Sequence, residues 1–262
     1  MAVDRASKTA RRWLAITLTV LSLGVPVILW QVNAMIQQNP VLAPGLGRIW
    51  DTMVSSANSG DLWYNASVSI RSGLEGLLLA AVLGVALGVL MAQSRLASAI
   101  VSPFLSATYP VPKLALYPVF ILMLGLGTLP VVVLVALECM YPIAYNTLQG
   151  VQSTNKELVR AAANADAGRW RTFTAVQVPS ALPAFLTGLR ISVPIMVVVT
   201  VVVEMLGQSR GLGFLIRDAG RTFEPSQALG VILLLGVLGF VLDQLLQVAT
   251  RQIVFWEARS DA

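Results

Sequence analysis

Six stretches, each about 20 residues long and nearly free of charge, constrain this chain more than anything else in it: 13–32, 72–93, 99–125, 129–149, 183–206 and 228–249. A hydrocarbon core about 30 Å thick takes a helix of about 20 mostly apolar residues to cross. Backbone N–H and C=O groups inside that core are satisfied only within a helix or a closed barrel. The stretches do not alternate apolar and polar residues with period two, so helices are expected rather than barrel strands. Composition agrees, because 56% of residues are hydrophobic and only 12% charged, where soluble domains carry about a quarter. The fold class expected is an all-α integral membrane protein, one transmembrane domain over 1–262 with about six spans and the lipid bilayer as solvent.

Orientation follows from the basic residues. With the N-terminus in the cytosol, the inner segments hold Arg5, Lys8, Arg11, Arg12, Arg95, Lys156, Arg160, Arg169, Arg171, Arg251 and Arg259. The outer segments hold Arg48, Arg210, Arg217 and Arg221, with Arg71 at a span edge. Eleven against five favours cytosolic N- and C-termini, since cytoplasmic loops carry the excess of Lys and Arg. The net charge of +5 is absorbed by this topology, and no nucleic-acid partner is expected. The stretch after Trp13 resembles a signal peptide, but no small-residue cleavage pattern precedes Gln31, so a retained first span is expected.

Several chemistries are disfavoured by what is missing. A single cysteine, Cys139, cannot form an internal disulfide, and without histidine there is no imidazole for metal binding or acid–base work. No metal site and no bound cofactor are expected.

Within the second span Ala80, Gly84 and Gly88 recur every four residues, a stripe along which another backbone can approach. Packing inside the chain is the plainer reading and a dimer face the sharper one. The third span carries Pro103, Pro110, Pro112 and Pro118 with Lys113 among them. Each proline obstructs a helical turn, and broken helices at membrane depth are tolerated where they are buried or line a cavity. Either a plain kink or a path-lining segment follows. Residues 33–70 are too polar to cross, and Ile49, Trp50 and Met53 form an apolar face suited to the membrane interface.

The loop 150–182 is the longest cytosolic one. Thr154 with Glu157 fits a capping box, so a helix is expected from about Asn155. Asp166-Ala-Gly168 offers a turn, and a second helix from Arg169 through Phe173 to Val176 should stop before Val178-Pro179. A helix–turn–helix finger with a slim alanine surface results.

The intramembrane charges call for partners. Arg190 lies about seven residues into span five and Asp243 about seven before the end of span six, so they share a depth. A structural ion pair near the inner gate is the expectation, with snorkelling to the interface as the alternative. Glu75 follows Arg71 by four residues, a spacing that pairs them on one helix face. Glu138 has no partner evident in the sequence. Glu204 precedes the loop 207–227, where a short helix over the outer gate is expected.

The loop resembles that of the permease subunits of ABC importers of the nitrate, sulfonate and taurine type. That family's pattern is Glu-Ala-Ala, three residues, Gly, then Leu-Pro; here it reads Arg160-Ala161-Ala162-Ala163-Asn164-Ala165-Asp166, then Phe173, Val178-Pro179, Leu182-Pro183 and Gly188-Leu189-Arg190. Further matching pieces, in shared order, are Ser69-Ile70-Arg71, Pro110 to Lys113 with Gly125-Leu-Gly127, Asn146-Thr147, Gly150-Val151, Glu204, Gly211-Leu-Gly213, Asp243 and Trp256. The resemblance implies a type I ABC importer permease in a bacterial cytoplasmic membrane. It implies docking of the loop, through Glu157, Arg160, Ala161, Ala162, Asp166, Gly168 and Phe173, onto P-loop ATPase subunits that carry the ATP and Mg. It also implies a second permease chain and an external substrate-binding protein. Lys113, Glu138, Arg190, Glu204 and Asp243 become gate or pathway candidates.

This chain lacks a nucleotide motif of its own, because none of Lys8, Lys113 and Lys156 follows a glycine. Arg160 stands at the motif glutamate and Asp166 at the motif glycine. Either the ATPase bears compensating acids, or a second, different permease supplies a regular loop; the heterodimer is expected over the homodimer. An ion-coupled secondary transporter using Glu138 is the other functional reading. A membrane enzyme would need Lys113 beside Ser106 or Thr108.

Overall fold

The computed structural model describes residues 18, 21–22, 24–37, 39 and 41–255, and among them every regular element is helical. Residues 24–37 are helical. The expectations placed on Arg5, Lys8, Arg11, Arg12, most of 13–23, Trp256 and Arg259 lie outside the described residues. The elements then run α1 (Leu46–Asn58), α2 (Asp61–Gln93), α3 (Arg95–Thr108), a 3-10 turn (Lys113–Leu116), α4 (Tyr117–Leu124), α5 (Thr128–Gln152) and α6 (Lys156–Asn164). After them come α7 (Arg169–Thr172), a π turn (Phe173–Gln177), α8 (Val178–Gly207), α9 (Leu212–Arg221) and α10 (Pro225–Ile253).

Among the described residues four helices are long and apolar enough to cross a bilayer: α2, α5, the continuous run Arg169–Gly207, and α10. Taken together, α3 and the segment Lys113–Leu124 have the length and apolarity of a further crossing, but they are bent by 84° at the break between them. The prolines explain the break. Pro103 is carried inside α3, whereas Pro110 and Pro112 fall in the gap and Pro118 opens α4, where a missing N–H removes no helical bond.

α5 is the centre of the bundle, with Leu134, Val135, Cys139 and Ile143 wholly buried. The stripe on α2 serves packing within the chain. A Cβ on Gly84 would stand 2.8 Å from the Ile143 side chain, and one on Gly88 would stand 2.6 Å from the Ala144 carbonyl oxygen. Bare backbone thus lets α2 lie directly on α5. On the other side of α5, Ser192 of α8 donates to the Cys139 carbonyl at 3.1 Å.

Two expectations about residues 33–70 are corrected. The second crossing helix extends back to Asp61, because its polar residues Asn65 and Ser69 find partners on the turn before α9 and so are stable on a packed helix. The apolar face of α1 is turned inward rather than laid on the interface. Ile49 is buried and Met53 packs beside Gly230 of α10, while Trp50 points away at 70% exposure.

Candidate functional site

At one end of the bundle, residues 153–177 form a finger joining α5 to α8. Its first helix is capped by Asn155, whose side chain accepts from the Glu157 amide at 2.8 Å. Thr154, expected to be the cap, is buried beneath the finger instead; the Asx side chain reaches the second amide of the helix directly. The helix ends at Asp166, which takes φ 54°. There the Asp166 amide bonds the Ala163 carbonyl at 3.1 Å and the Ala167 amide bonds Ala162 at 3.0 Å. That pair of bonds is a Schellman cap, whose left-handed position glycine usually fills.

The second arm does not stop before Pro179. Val178 keeps helical angles, φ −61° and ψ −51°, and the π turn over Phe173–Gln177 absorbs the proline. A π bulge widens one turn locally, so the ring that would end a regular helix is accommodated and the arm continues into α8. Arg160, Ala161 and Gly168 are exposed or nearly so, Ala162 and Phe173 more sheltered. The Phe173 ring lies 5.9 Å from that of Trp170.

Inside the bundle the break between α3 and α4 is closed by Lys113, whose side chain is 7% exposed. Its ammonium donates to Glu138 on α5 at 3.1 Å and to the Tyr109 carbonyl at 3.3 Å, and it stands 4.5 Å from the Tyr141 ring centre. Glu138, which has no partner visible in sequence, thus pairs with the cation brought back by the bend. The hydroxyls of Ser106 and Thr108 go to Tyr145 and Tyr141. Lys113 is therefore engaged by the carboxylate and the freed carbonyls rather than by Ser106 or Thr108.

Between α8 and α10, Arg190 donates through Nε and Nη2 to both oxygens of Asp243, at 2.8 and 2.9 Å. A parallel pair of this kind fixes orientation as well as charge. The structure therefore brings the two residues together in place of separate excursions to the interface.

At the end opposite the finger a cleft of about 920 Å³ opens between α2, α5 and the end of α8, lined by Tyr64, Arg71, Glu75, Thr128, Gln208 and Arg210 among others. Arg71 and Glu75 pair at 2.8 Å, and Arg210 rests over the Tyr64 ring at 5.8 Å. Glu204 forms the floor of the wall behind it. It is 1% exposed and accepts from Ser69 at 2.8 Å and from the Gly213 amide at 2.9 Å. Gly211, at φ 106°, leaves room for that carboxylate, and its amide donates to Asn65 at 2.7 Å. Glu204 thus fastens the start of α9 to α2, and Asn65 holds the turn before it. Sequence reading missed Asn65 and Ser69 as partners of this region, and also Gln208, whose side-chain amide donates to the Tyr117 hydroxyl at 3.1 Å; polar residues at positions 65, 69 and 72, all on one face of α2, were the available signal. Among the described residues no group of three or more Cys, Asp or Glu is placed to hold a metal ion.

Residues 84–254 match the family described as the inner membrane component of binding-protein-dependent transport systems. The chain is 28% identical over 247 residues to the taurine transport system permease protein TauC of Escherichia coli (strain K12), covering 92% of this chain and 90% of that protein. It is 34% identical over 223 residues to the formylaminopyrimidine transport permease protein ThiX of Halalkalibacterium halodurans, covering 82% and 86%. In fold it is similar to a crystal structure of an amino acid ABC transporter with histidines, at TM-score 0.60 and 11% identity over 77% of this chain and 96% of that one. The fold is that of type I ABC importer permeases. Multi-pass architecture, the broken third crossing and the family match agree that this chain belongs to the inner membrane components of binding-protein-dependent transport systems, the permeases of ABC importers.

Proposed function

We propose that this chain lines, together with a second permease chain, the path by which a small polar solute crosses a bacterial cytoplasmic membrane after release from an external binding protein. Work is supplied by ATP hydrolysis, with Mg, on a separate P-loop subunit; the chain itself binds no cofactor. The finger 153–177 is the contact through which closure of that subunit moves α5 and α8. N- and C-termini lie on the finger's side, the cytosol. The cleft near Arg71 and Arg210 then faces the binding protein, and taurine-like or pyrimidine-like solutes are the class suggested by the relatives' names.

The observation that carries this reading is the finger itself: a helix capped at both ends, exposing alanines, and continuous through its second arm with a crossing of 39 residues. Force applied there passes along one continuous helical run rather than through a loop.

Reconstitution in proteoliposomes with the ATPase and the binding protein tests it. Uptake should require ATP on the finger's side and should vanish when 155–176 is deleted. Uptake that persists after the deletion, or that follows an ion gradient without ATP, overturns the proposal. The companion permease is a different chain, because Arg160 places a cation where a regular finger has a carboxylate. Native mass spectrometry finding two copies of this chain in an active complex would exclude that.

A further inference from the structure

Trp170 stands in the first turn of the run Arg169–Gly207 and is 76% exposed. At about 1.5 Å per residue the 39 residues of that run reach about 58 Å. The bilayer with its headgroups measures about 40–45 Å, so the tip extends beyond the headgroup layer when Gly207 sits at the opposite boundary. The indole therefore stands where a soluble subunit, rather than lipid, can reach it.

Its setting adds chemistry. Arg169 and Arg171 flank it, and Lys156 and Arg160 are exposed on the other arm, against Glu157 and Asp166 as the acids of the finger. Leu158 is 52% exposed, and a groove of about 530 Å³ runs between the arms, lined by Leu158, Ala162, Ala175, Val176 and Pro179. The indole lies beside the Phe173 ring, with centroids 5.9 Å apart. Tryptophan and arginine are among the side chains that dominate binding energy at protein interfaces.

We propose that Trp170 is the anchor by which the finger locks into the ATPase subunit, entering an apolar pocket whose rim carries carboxylates facing Arg169 and Arg171. This rests on the reading that the finger docks an ATPase. It adds which side chain carries the contact and which charge the partner must present. Opposite charge across the rim steers encounter, and like charge rejects foreign subunits.

The test uses the whole importer in proteoliposomes. Trp170→Ala should weaken retention of the ATPase by tenfold or more and lower ATP-driven uptake to a tenth or less, while Trp170→Phe keeps most of both. The concentration of binding protein giving half-maximal uptake should not move, and thermal unfolding of the isolated permease should stay within a degree or two. Arg169→Glu with Arg171→Glu should slow assembly and remove its dependence on salt. Coupling unchanged in Trp170→Ala overturns the inference and leaves the proposed function standing. Quenching by brominated lipid of the fluorescence that distinguishes wild type from Trp170→Phe also overturns it, since the indole would then be a membrane anchor. Uptake indifferent to ATP would instead sink the broader reading.

Discussion

The guanidinium of Arg190 and the carboxylate of Asp243 share two hydrogen bonds of 2.8 and 2.9 Å, and they tie α8, which continues the finger, to α10. Removing either charge leaves the other at membrane depth without its partner. Arg190→Ala and Asp243→Ala are each expected to reduce transport at least tenfold with the chain still inserted. Arg190→Asp combined with Asp243→Arg should recover a measurable share. Proteoliposome uptake by the wild type and these three variants checks this, and a double variant no better than the singles would mean that the residues act separately.

Lys113 and Glu138 join the broken crossing to the central helix at 3.1 Å. Breaking a buried pair from one side leaves an uncompensated charge, at a cost of about 3 to 5 kcal/mol, whereas replacing both partners by apolar groups is often close to neutral. Lys113→Met and Glu138→Leu should each lower the unfolding temperature in detergent well below that of the double variant. A double variant whose loss equals the sum of the two single losses would instead show that the residues act separately, and that the carbonyls of the break, not Glu138, are what Lys113 serves.

Gly84 and Gly88 hold α2 on α5, and a methyl at position 88 would meet the Ala144 carbonyl at 2.6 Å. Gly88→Ala should destabilise by about 1 to 3 kcal/mol, the usual range for overpacking. On α10, a methyl at position 236 would meet no atom within 4 Å, so Gly236→Ala is the control and should cause no loss. Thermal melts of both variants decide the matter; a silent Gly88→Ala would mean the helices separate freely.

What could be read from the sequence was set by range. The crossings, the proline break and the shared depth of Arg190 and Asp243 depend on local hydrophobicity and on counting along helices, and these survive without knowledge of the fold. Lys113 with Glu138 was not legible, because only the 84° bend turns Lys113 back toward α5. Glu204 was visible as a charge, but its partners Ser69 and Gly213 come from two other segments. The second arm of the finger runs past the end its sequence implies because the preference of a residue before proline is a local rule, and here Val178 keeps helical angles after a π turn over Phe173–Gln177.

Asp166 closes the finger's first helix in a conformation that costs an ordinary L-residue about 1 to 2 kcal/mol, partly relieved because aspartate tolerates it better than most. Asp166→Gly removes that strain but adds backbone entropy to the unfolded chain, of about 0.5 to 1 kcal/mol. The net expectation is a gain of about 0.5 kcal/mol at the cap, since the relief of strain outweighs the added entropy. Slower amide exchange at Asp166 and Ala167, about twofold, should report it, these being the amides that bond Ala163 and Ala162. Asp166→Val should move the same amides the other way, because a β-branched side chain is the least tolerant of positive φ. If valine protects those amides as well as glycine does, the left-handed cap is absent in solution and the finger ends differently.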